Sequence, residues 1–405
     1  LGASTNLFAQ PGAVKKAADA AFTLTTFKAD GSILATSNGV CISTDGDGVA
    51  VSPWKPFIGA DKAVIVDAKG QKHEVECLLG ANEIYDIVKF QVSGKTIAAP
   101  LATTVSVGDE AWITPMPKSG NAEKADVSSV DKFMDKYHYP ILKSSATDKL
   151  NGAPVFNVKG QVIGLFNSAG ESQSSTDVNY AKDFVVKGLS QNDITLRQSN
   201  IRIGLPNTVE EAVVALMLSS EKPTNIHEAI VNEFITKFPQ ANDGYYALAN
   251  IQVAKGDFAN ADKTMQTAIS KVTAKDEAHY NFARLIYRNA LIPEFAEKTK
   301  SVGWTLDKAL DEIKKADLVI TGEGRMDFQS SMGKTPTGVA KLAKKYHKPV
   351  IAFAGSVQKC AKDCHKNGID AYFCILNEPV SLEEAMRKDI AIRNLKMTAE
   401  QVVRL

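Results

Sequence analysis

Residues 317–327 read Asp-Leu-Val-Ile-Thr-Gly-Glu-Gly-Arg-Met-Asp, a short apolar run that ends in a glycine-rich and charged stretch. Such a run is typical of a strand that is buried on both faces of a parallel sheet. Further along the chain, the pattern predicts a helix over 337–346, a strand over 349–354, a helix, a strand over 371–376 and a helix over 381–387. Because strands and helices alternate, residues 317–405 are expected to form a small α/β segment with a parallel sheet.

The glycine-rich stretches of this segment form its candidate ligand site. Parallel sheets bind ligands at the carboxyl ends of their strands, and residues 322–334 and 355–356 are predicted to lie there. The motif at 317–327, the pairs Gly333-Lys334 and Gly355-Ser356, and the stretch Gly368-Ile369-Asp370-Ala371 resemble the C-terminal part of bacterial glycerate kinase. This resemblance implies a kinase-like cleft, with no separate role for each residue, lined by Glu323, Arg325, Asp327, Lys334, Gly355 and Ser356.

The resemblance to glycerate kinase covers only part of that enzyme. A glycerate kinase needs nearly the whole length of this chain, and the family's N-terminal Pro-Asp-Ser-Phe-Lys stretch and glycine-rich middle section are absent from the sequence. Phosphoryl transfer requires substrate, nucleotide and Mg²⁺ to be positioned together, so this segment is not expected to catalyse it alone. ATP and Mg²⁺ are therefore expected as ligands only if the kinase-like segment is functional, and no other cofactor is predicted.

Residues 12–197 have a different pattern, with short apolar runs separated by Gly/Asp turns. After a short helix at 12–21, strands are predicted at 21–27, 39–43, 49–52, 63–67, 73–78, 84–92, 110–114, 154–157 and 162–166. This pattern predicts an antiparallel barrel or sandwich. The order of Asn38-Gly39-Val40-Cys41, Tyr85-Asp86-Ile87-Val88 and Asn151-Gly152-Ala153-Pro154 resembles trypsin-like serine proteases of the high-temperature-requirement type, which implies an all-β double barrel.

The same resemblance implies that the protease machinery is lost. Lys55 stands where the family has its His, Asn151 where it has its nucleophilic Ser, and Lys149 where it has a Gly of the oxyanion loop. Only Asp86 remains of the triad. A surface Lys has a pKa of about 10.4 and cannot accept a hydroxyl proton at neutral pH, so no intact catalytic site is expected. A Ser–Lys dyad of Lys55 with Ser144 or Ser145 is the alternative, and it needs a buried, uncharged Lys.

Residues 205–316 change to a helical period. Their spacing resembles a tetratricopeptide repeat at Leu248, Ala249, Gly256, Phe258, Ala261, Met265 and Ala268, and a third repeat is expected near residue 276 with its second helix at 306–315. Three such repeats are about the minimum for a stable stack. The resemblance implies a scaffold that holds a peptide or protein partner, and an unrelated helical bundle is the alternative.

Composition and charge exclude several classes of protein. The chain has 405 residues, which suggests several folded domains. Its net charge of +1 argues against a nucleic-acid binder, and the lack of a long apolar run argues against a membrane-spanning protein. Residues 1–11 read as a signal-peptide remnant or a frayed tail. The first interpretation predicts an exported protein, periplasmic or extracellular, although the C-terminal segment is of a cytoplasmic family type.

The five cysteines cannot all pair within one chain, and a disulfide between Cys41 and Cys77 is left open. Cys360, Cys364 and His365 have a spacing that fits no common zinc site. We therefore predict cysteines on a helix surface and no metal.

These observations lead to three hypotheses. The first is a non-catalytic exported scaffold, in which a pseudo-protease barrel and helical repeats hold a peptide or protein. The second is a glycerate kinase-related phosphotransferase, or a fusion, acting through residues 317–405. The third is a serine protease by family descent. The junction near residue 316 fits a natural fusion, an engineered fusion or two sequences merged in error, and all three stay open at the level of sequence.

Overall fold

The computed structural model describes residues 10–42, 48–315, 318–327, 330, 335–376, 378 and 380–404. The chain divides into two compact units, the first ending at Ile230 and the second beginning at Val231. Strands make up most of the first unit, whereas the second contains a helical region followed by a parallel sheet. No helix in these residue ranges is long and apolar enough to cross a membrane.

Two closed six-stranded antiparallel barrels follow the short helix α1 (Gly12–Ala17). The first barrel has the order β1-β2-β3-β6-β5-β4 and consists of β1 (Ala21–Phe27), β2 (Ile33–Cys41), β3 (Val49–Ser52), β4 (Lys62–Val66), β5 (Lys72–Asn82) and β6 (Ile87–Val92). The second has the order β10-β11-β12-β9-β8-β7 and consists of β7 (Glu110–Ile113), β8 (Glu123–Phe133), β9 (Tyr137–Ser144), β10 (Pro154–Asn157), β11 (Val162–Ala169) and β12 (Ser172–Asp177). The predicted all-β double barrel is confirmed, while descent from trypsin-like proteases stays a prediction.

The barrel strands differ from the predicted ones in several respects. Strand β2, predicted over 39–43, begins at Ile33. Strand β6 begins at Ile87 rather than at residue 84, because Asp86 has a φ of 47° and this left-handed backbone cannot continue a strand. The strands β8, β9 and β12 were not predicted, because polar residues fill much of β8 and β12 and because Pro140 interrupts the pattern of β9. Strand β12, for example, reads Ser-Gln-Ser-Ser-Thr-Asp and has no apolar alternation to reveal it.

A helical region begins after the barrels, as the change of period predicts. Its helices are α2 (Val209–Ser219), α3 (Thr224–Lys237), α4 (Asn242–Ala254), α5 (Phe258–Lys271), α6 (Lys275–Ala290), α7 (Ala296–Ser301) and α8 (Leu306–Lys314). Helix α5 shows why these segments are helical, since Phe258, Ala261, Met265 and Ala268 recur at helical spacing and are all buried. The helical arrangement is confirmed, and its identity as tetratricopeptide repeats stays a prediction.

Aromatic packing holds the helices of the second unit together. Trp304 is only 2% exposed and makes edge contacts with Phe258 and Phe282, at ring-centroid distances of 5.5 and 6.0 Å. Its indole Nε1–H donates a hydrogen bond of 2.7 Å to Asp262 Oδ1. Both ends of the side chain are therefore satisfied, which is what a buried Trp requires.

The C-terminal segment is the predicted small parallel sheet, with the order β13-β14-β15. It consists of β13 (Val319–Met326), α9 (Thr335–Lys344), β14 (Val350–Val357), β15 (Ala371–Cys374), α10 (Leu382–Ala385) and α11 (Lys388–Val403). Two expectations need correction. Strand β13 continues through Met326 instead of ending at residue 321, and the long helix α11 was not predicted.

Glycines allow β13 and β14 to pair over this longer stretch. A Cβ atom at Gly355 would lie 2.6 Å from the Gly324 carbonyl oxygen, and one at Gly322 would lie 2.8 Å from the Phe353 carbonyl oxygen. Both distances are shorter than real Cβ contacts, so a side chain at either position would push the strands apart. The glycine-rich motif, predicted as a loop beyond the strand, is thus part of the strand itself.

The cysteines also differ from the prediction in one respect. Cys364 lies within a 3₁₀ helix (Lys359–Asn367), but its side chain is fully buried rather than on the helix surface. Cys41 and Cys77 are both buried, and no disulfide joins them. Burial raises the pKa of the Cys41 thiol to about 11.

Candidate functional site

The first unit contains a cavity of about 670 Å³. The three residues that the protease resemblance places at its triad positions line it: Lys55, Asp86 and Asn151. The structure therefore brings these residues together, although they come from separate parts of the chain. Tyr139, Asp131 and Lys132 of the second barrel also line this cavity.

Lys55 and Asp86 form an ion pair at the edge of this cavity. The Lys55 Nζ lies 3.6 Å from Asp86 Oδ2, and the Lys55 backbone N–H donates a hydrogen bond of 2.9 Å to Asp86 Oδ1. The Lys55 side chain is 75% exposed. A Ser–Lys dyad needs a buried Lys, and the exposed Lys55 side chain does not meet that requirement.

The other side chains of the hypothetical protease site are also occupied. Asn151 Oδ1 accepts a hydrogen bond of 2.7 Å from the Ser168 backbone N–H, and its Nδ2 donates one of 3.2 Å to the Ser168 carbonyl. The Ser144 and Ser145 hydroxyls donate to Gln173 Oε1 and Glu123 Oε2, both at 2.8 Å. Asn151 is thus a structural clamp, and these contacts tie both serines to partners other than Lys55.

The second unit contains a separate cavity of about 430 Å³ beside the parallel sheet. Helices α6 and α11 and strands β13 and β14 contribute to its walls, together with residues from α9 and the end of β15. Its lining consists of Tyr280, Arg284, Ile320, Thr321, Gly322, Glu323, Val339, Phe353, Ala354, Gly355, Ile375 and Leu395. Two residues of the predicted kinase-like cleft, Glu323 and Gly355, therefore line a real cavity.

The polar groups of this cavity come from two elements. Glu323 Oε1 is buried and has no hydrogen-bond partner among the described residues. Arg284 is exposed on α6, and its guanidinium carbon lies 5.7 Å from the centroid of the Tyr246 ring. Burial raises the pKa of the neighbouring Tyr280, whose side chain also interacts with Thr321. The cavity thus combines a cation held over an aromatic ring with a carboxylate oxygen that lacks a donor.

Arg325 and Ser356 of the predicted cleft lie further along the same strands. Arg325 lies opposite Ser356 in the pairing of β13 with β14, two residues further along each strand than the pair of Glu323 and Ala354. Because residues two apart in a strand share a face, Glu323 and Arg325 are on the same face of the sheet. Asp327 follows β13, and its Oδ1 accepts a hydrogen bond of 3.3 Å from the Ser330 N–H. Lys334 lies outside the described residues.

The polar residues of the cavity that come from outside the C-terminal segment were not predicted. Tyr280 and Arg284 belong to α6, which the sequence indicates only as part of a repeat scaffold. No sequence motif links that helix to the glycine-rich strand. The two segments are far apart in the chain, and only tertiary packing brings them into contact. An Arg and a Tyr four residues apart on one helix face are common, so the sequence offers no usable signal.

Comparison with known proteins identifies the C-terminal segment. Residues 302–405 match the glycerate kinase family, beginning before the predicted boundary at 317. The segment is similar to the glycerate kinase of Bacillus cereus, with 50% identity over 90 residues, or 22% of this chain and 23% of that protein. It is also similar to the glycerate 2-kinase of Escherichia coli, with 53% identity over 77 residues, or 19% of this chain and 20% of that protein.

The glycerate kinase of Haemophilus influenzae is 46% identical over 96 residues, or 24% of this chain and 25% of that protein. The chain thus spans about a quarter of the length of these curated relatives. The resemblance inferred from residues 317–327 is confirmed for the C-terminal segment.

Proposed function

We propose that the chain is a glycerate kinase-related protein, in which residues 302–405 supply part of a phosphotransferase ligand cleft. The observation that carries this proposal is the family match over residues 302–405, which contain Glu323, Arg325 and Gly355. The strand register supports it, since it brings Arg325 beside Ser356 on the edge where parallel sheets bind ligands.

The chemistry proposed for this cleft is recognition of an anionic substrate. Arg325 is exposed, and a guanidinium binds a carboxylate or phosphate through paired hydrogen bonds. The Glu323 carboxylate can accept a hydrogen bond from a substrate hydroxyl. ATP and Mg²⁺ would supply the phosphoryl group and its charge neutralisation, but the described residues contain no group of three side chains that could hold a metal ion. We therefore assign no metal ligand in this chain.

Ligand binding by the full chain tests this proposal. Isothermal titration calorimetry with glycerate and with ATP, alongside a coupled assay of ADP release, separates binding from catalysis. We expect binding of at least one ligand, weakened about tenfold or more in Arg325→Gln, since a hydrogen bond to a charged group is worth about 1.5–3 kcal/mol. Arg288→Gln, an exposed change on α6, is the matched control and should bind normally. Absence of binding by both ligands would refute the proposal.

A second candidate function belongs to the double barrel. We propose that its cavity of about 670 Å³ binds a peptide without cleaving it, because the Lys55–Asp86 ion pair and the Asn151 clamp occupy the positions of the protease triad. The helical region would hold the same or another protein partner. An exported location depends on the N-terminal resemblance alone and stays a prediction.

Probe labelling and peptide binding test this second candidate together. A fluorophosphonate probe should not label the chain, whereas a peptide array should yield binders. Asp131→Lys changes the charge of an exposed residue that lines the cavity and should alter their selection. Lys159→Glu lies in the turn between β10 and β11 and should leave it unchanged. Labelling at a single Ser would support protease descent with chemistry intact and would overturn the non-catalytic interpretation.

A further inference from the structure

The cavity in the second unit has features that a small hydroxy acid does not use. A three-carbon hydroxy acid occupies on the order of 100 Å³, scaled from the volume of liquid water. The cavity of about 430 Å³ would remain mostly empty around it. Much of the wall is apolar, with contributions from Val339, Phe353 and Ile375. The volume lies in the range of sites that bind larger organic molecules with an apolar body.

Arg284 gives this cavity a fixed positive charge. Its guanidinium is placed over the Tyr246 ring, and it makes no ion pair with a described residue. Stacking on an aromatic face limits the rotamers of an Arg, so less entropy is lost when the guanidinium binds an anion. Arg284 lies outside residues 302–405, so this charge is contributed by the helical region rather than by the kinase-like segment.

Glu323 provides the complementary group. A buried carboxylate oxygen without a donor is unfavourable, since it has lost its water and gained no partner. Glu323 lines the cavity, so a ligand there that carries a positively charged donor can pair with its carboxylate. The cavity lining therefore offers a guanidinium on Arg284 and a carboxylate on Glu323, together with apolar side chains.

We propose that this cavity binds a small zwitterion with an apolar body, of the size of a hydrophobic dipeptide, with its carboxylate on Arg284 and its ammonium on Glu323. A dipeptide such as leucyl-leucine occupies on the order of 300 Å³ on the same scale, which suits the cavity better than a hydroxy acid does. The inference shares Glu323 with the proposed kinase-like cleft, but it requires neither phosphoryl transfer nor ATP.

Calorimetric titration of the full chain with leucyl-leucine, its N-acetyl form and its C-terminal amide tests the two charge contacts separately. The free dipeptide should bind about tenfold or more tightly than either blocked form, the effect of losing one charged hydrogen bond. In Arg284→Gln, the free and amidated forms should bind equally. In Glu323→Gln, the free and acetylated forms should bind equally. Arg288→Gln should keep both preferences.

The outcomes separate this inference from the proposed function. No binding of the dipeptide, or equal binding of its free and blocked forms by the unmodified chain, would overturn the inference even if Glu323→Gln failed to fold. Binding of glycerate that depends on Arg284 would also overturn it, because the cavity would then be a hydroxy-acid site. Dipeptide binding without glycerate or ATP binding would uphold the inference and refute only the proposed function.

Discussion

Asp370 directly precedes β15 and joins α9 to β14, and its removal should loosen the C-terminal sheet measurably. Its Oδ2 accepts a hydrogen bond of 2.6 Å from the backbone N–H of Val350, the first residue of β14. Lys344, the last residue of α9, places its Nζ 2.7 Å from Oδ1 and 2.5 Å from Oδ2. One carboxylate thus connects the end of a helix to the start of a strand.

The cost of Asp370→Asn follows from these contacts. A hydrogen bond to a charged group contributes about 1.5–3 kcal/mol when it is buried, but an exposed ion pair contributes only about 0.2–1 kcal/mol. The Asp370 side chain is 46% exposed, so solvent screens the contact with Lys344. An Asn can still accept the Val350 hydrogen bond without its charge. We therefore expect the substitution to lower the free energy of unfolding of the sheet by about 1–2 kcal/mol at pH 7.

The same contact predicts a dependence on pH. Burial alone would raise the pKa of Asp370, but the Lys344 ammonium and the Val350 N–H together lower it below its usual value. Because the folded pKa is the lower one, the stabilisation is complete above the unfolded pKa of about 3.9 and is lost as the pH falls through the folded value. The unmodified chain should lose this contribution in that acidic window, and Asp370→Asn should not.

Hydrogen exchange followed by mass spectrometry measures the effect where it arises. Peptides that cover β14 and β15 should exchange faster in Asp370→Asn at pH 7, and urea unfolding should give the change in free energy. Asp363→Asn removes an exposed partner of Lys366 and is the matched control, which should exchange like the unmodified chain. Equal protection of the sheet in Asp370→Asn and the unmodified chain would refute the reasoning.

Three further predictions concern the core and the thiols. Gly355→Ala should destabilise the sheet by about 1–3 kcal/mol, seen as a lower urea midpoint, because its Cβ would meet the Gly324 carbonyl at 2.6 Å. Gly324→Ala is its control and should be nearly neutral, because no described atom lies within 4 Å of its Cβ position. Trp304→Ala should cost about 3–5 kcal/mol in urea unfolding followed by circular dichroism, since the side chain is fully packed. Iodoacetamide at pH 8 should modify the partly exposed Cys360 before the buried Cys41, whose thiol has a pKa of about 11, and mass spectrometry would detect the reverse order.

The sequence predicts those parts of the fold in which the apolar period is strong. Strands β1, β3 and β10 have the predicted bounds, and Phe258, Ala261 and Met265 mark α5 correctly. Prediction fails where polar residues form strands, as in β12, because a closed barrel supplies hydrogen bonds that need no apolar alternation. It also fails at residue 322, where glycine indicates a loop but serves close strand pairing.

The candidate site residues also divide into those that sequence motifs indicate and those that depend on tertiary packing. Lys55, Asp86 and Asn151 line one cavity as expected, since an ordered series of motifs placed them in the barrel fold. Glu323 and Gly355 line the second cavity for the same reason. Arg284 could not be found in this way, because its relation to Glu323 depends on tertiary packing of α6 against the sheet. Such contacts leave no periodic trace in one sequence.

The C-terminal segment depends on the packing of α6 against its sheet. A parallel sheet is stable only when both of its faces are covered, and this three-stranded sheet corresponds to about a quarter of the related kinases. Ala283 of α6 is buried in the same apolar cluster as Val319 and Val350, and Tyr280 packs against that cluster. The helical region therefore supplies cover for one part of the sheet. Since it also supplies Arg284 to the cavity, excising residues 302–405 would remove both a packing surface and part of the cavity wall at once.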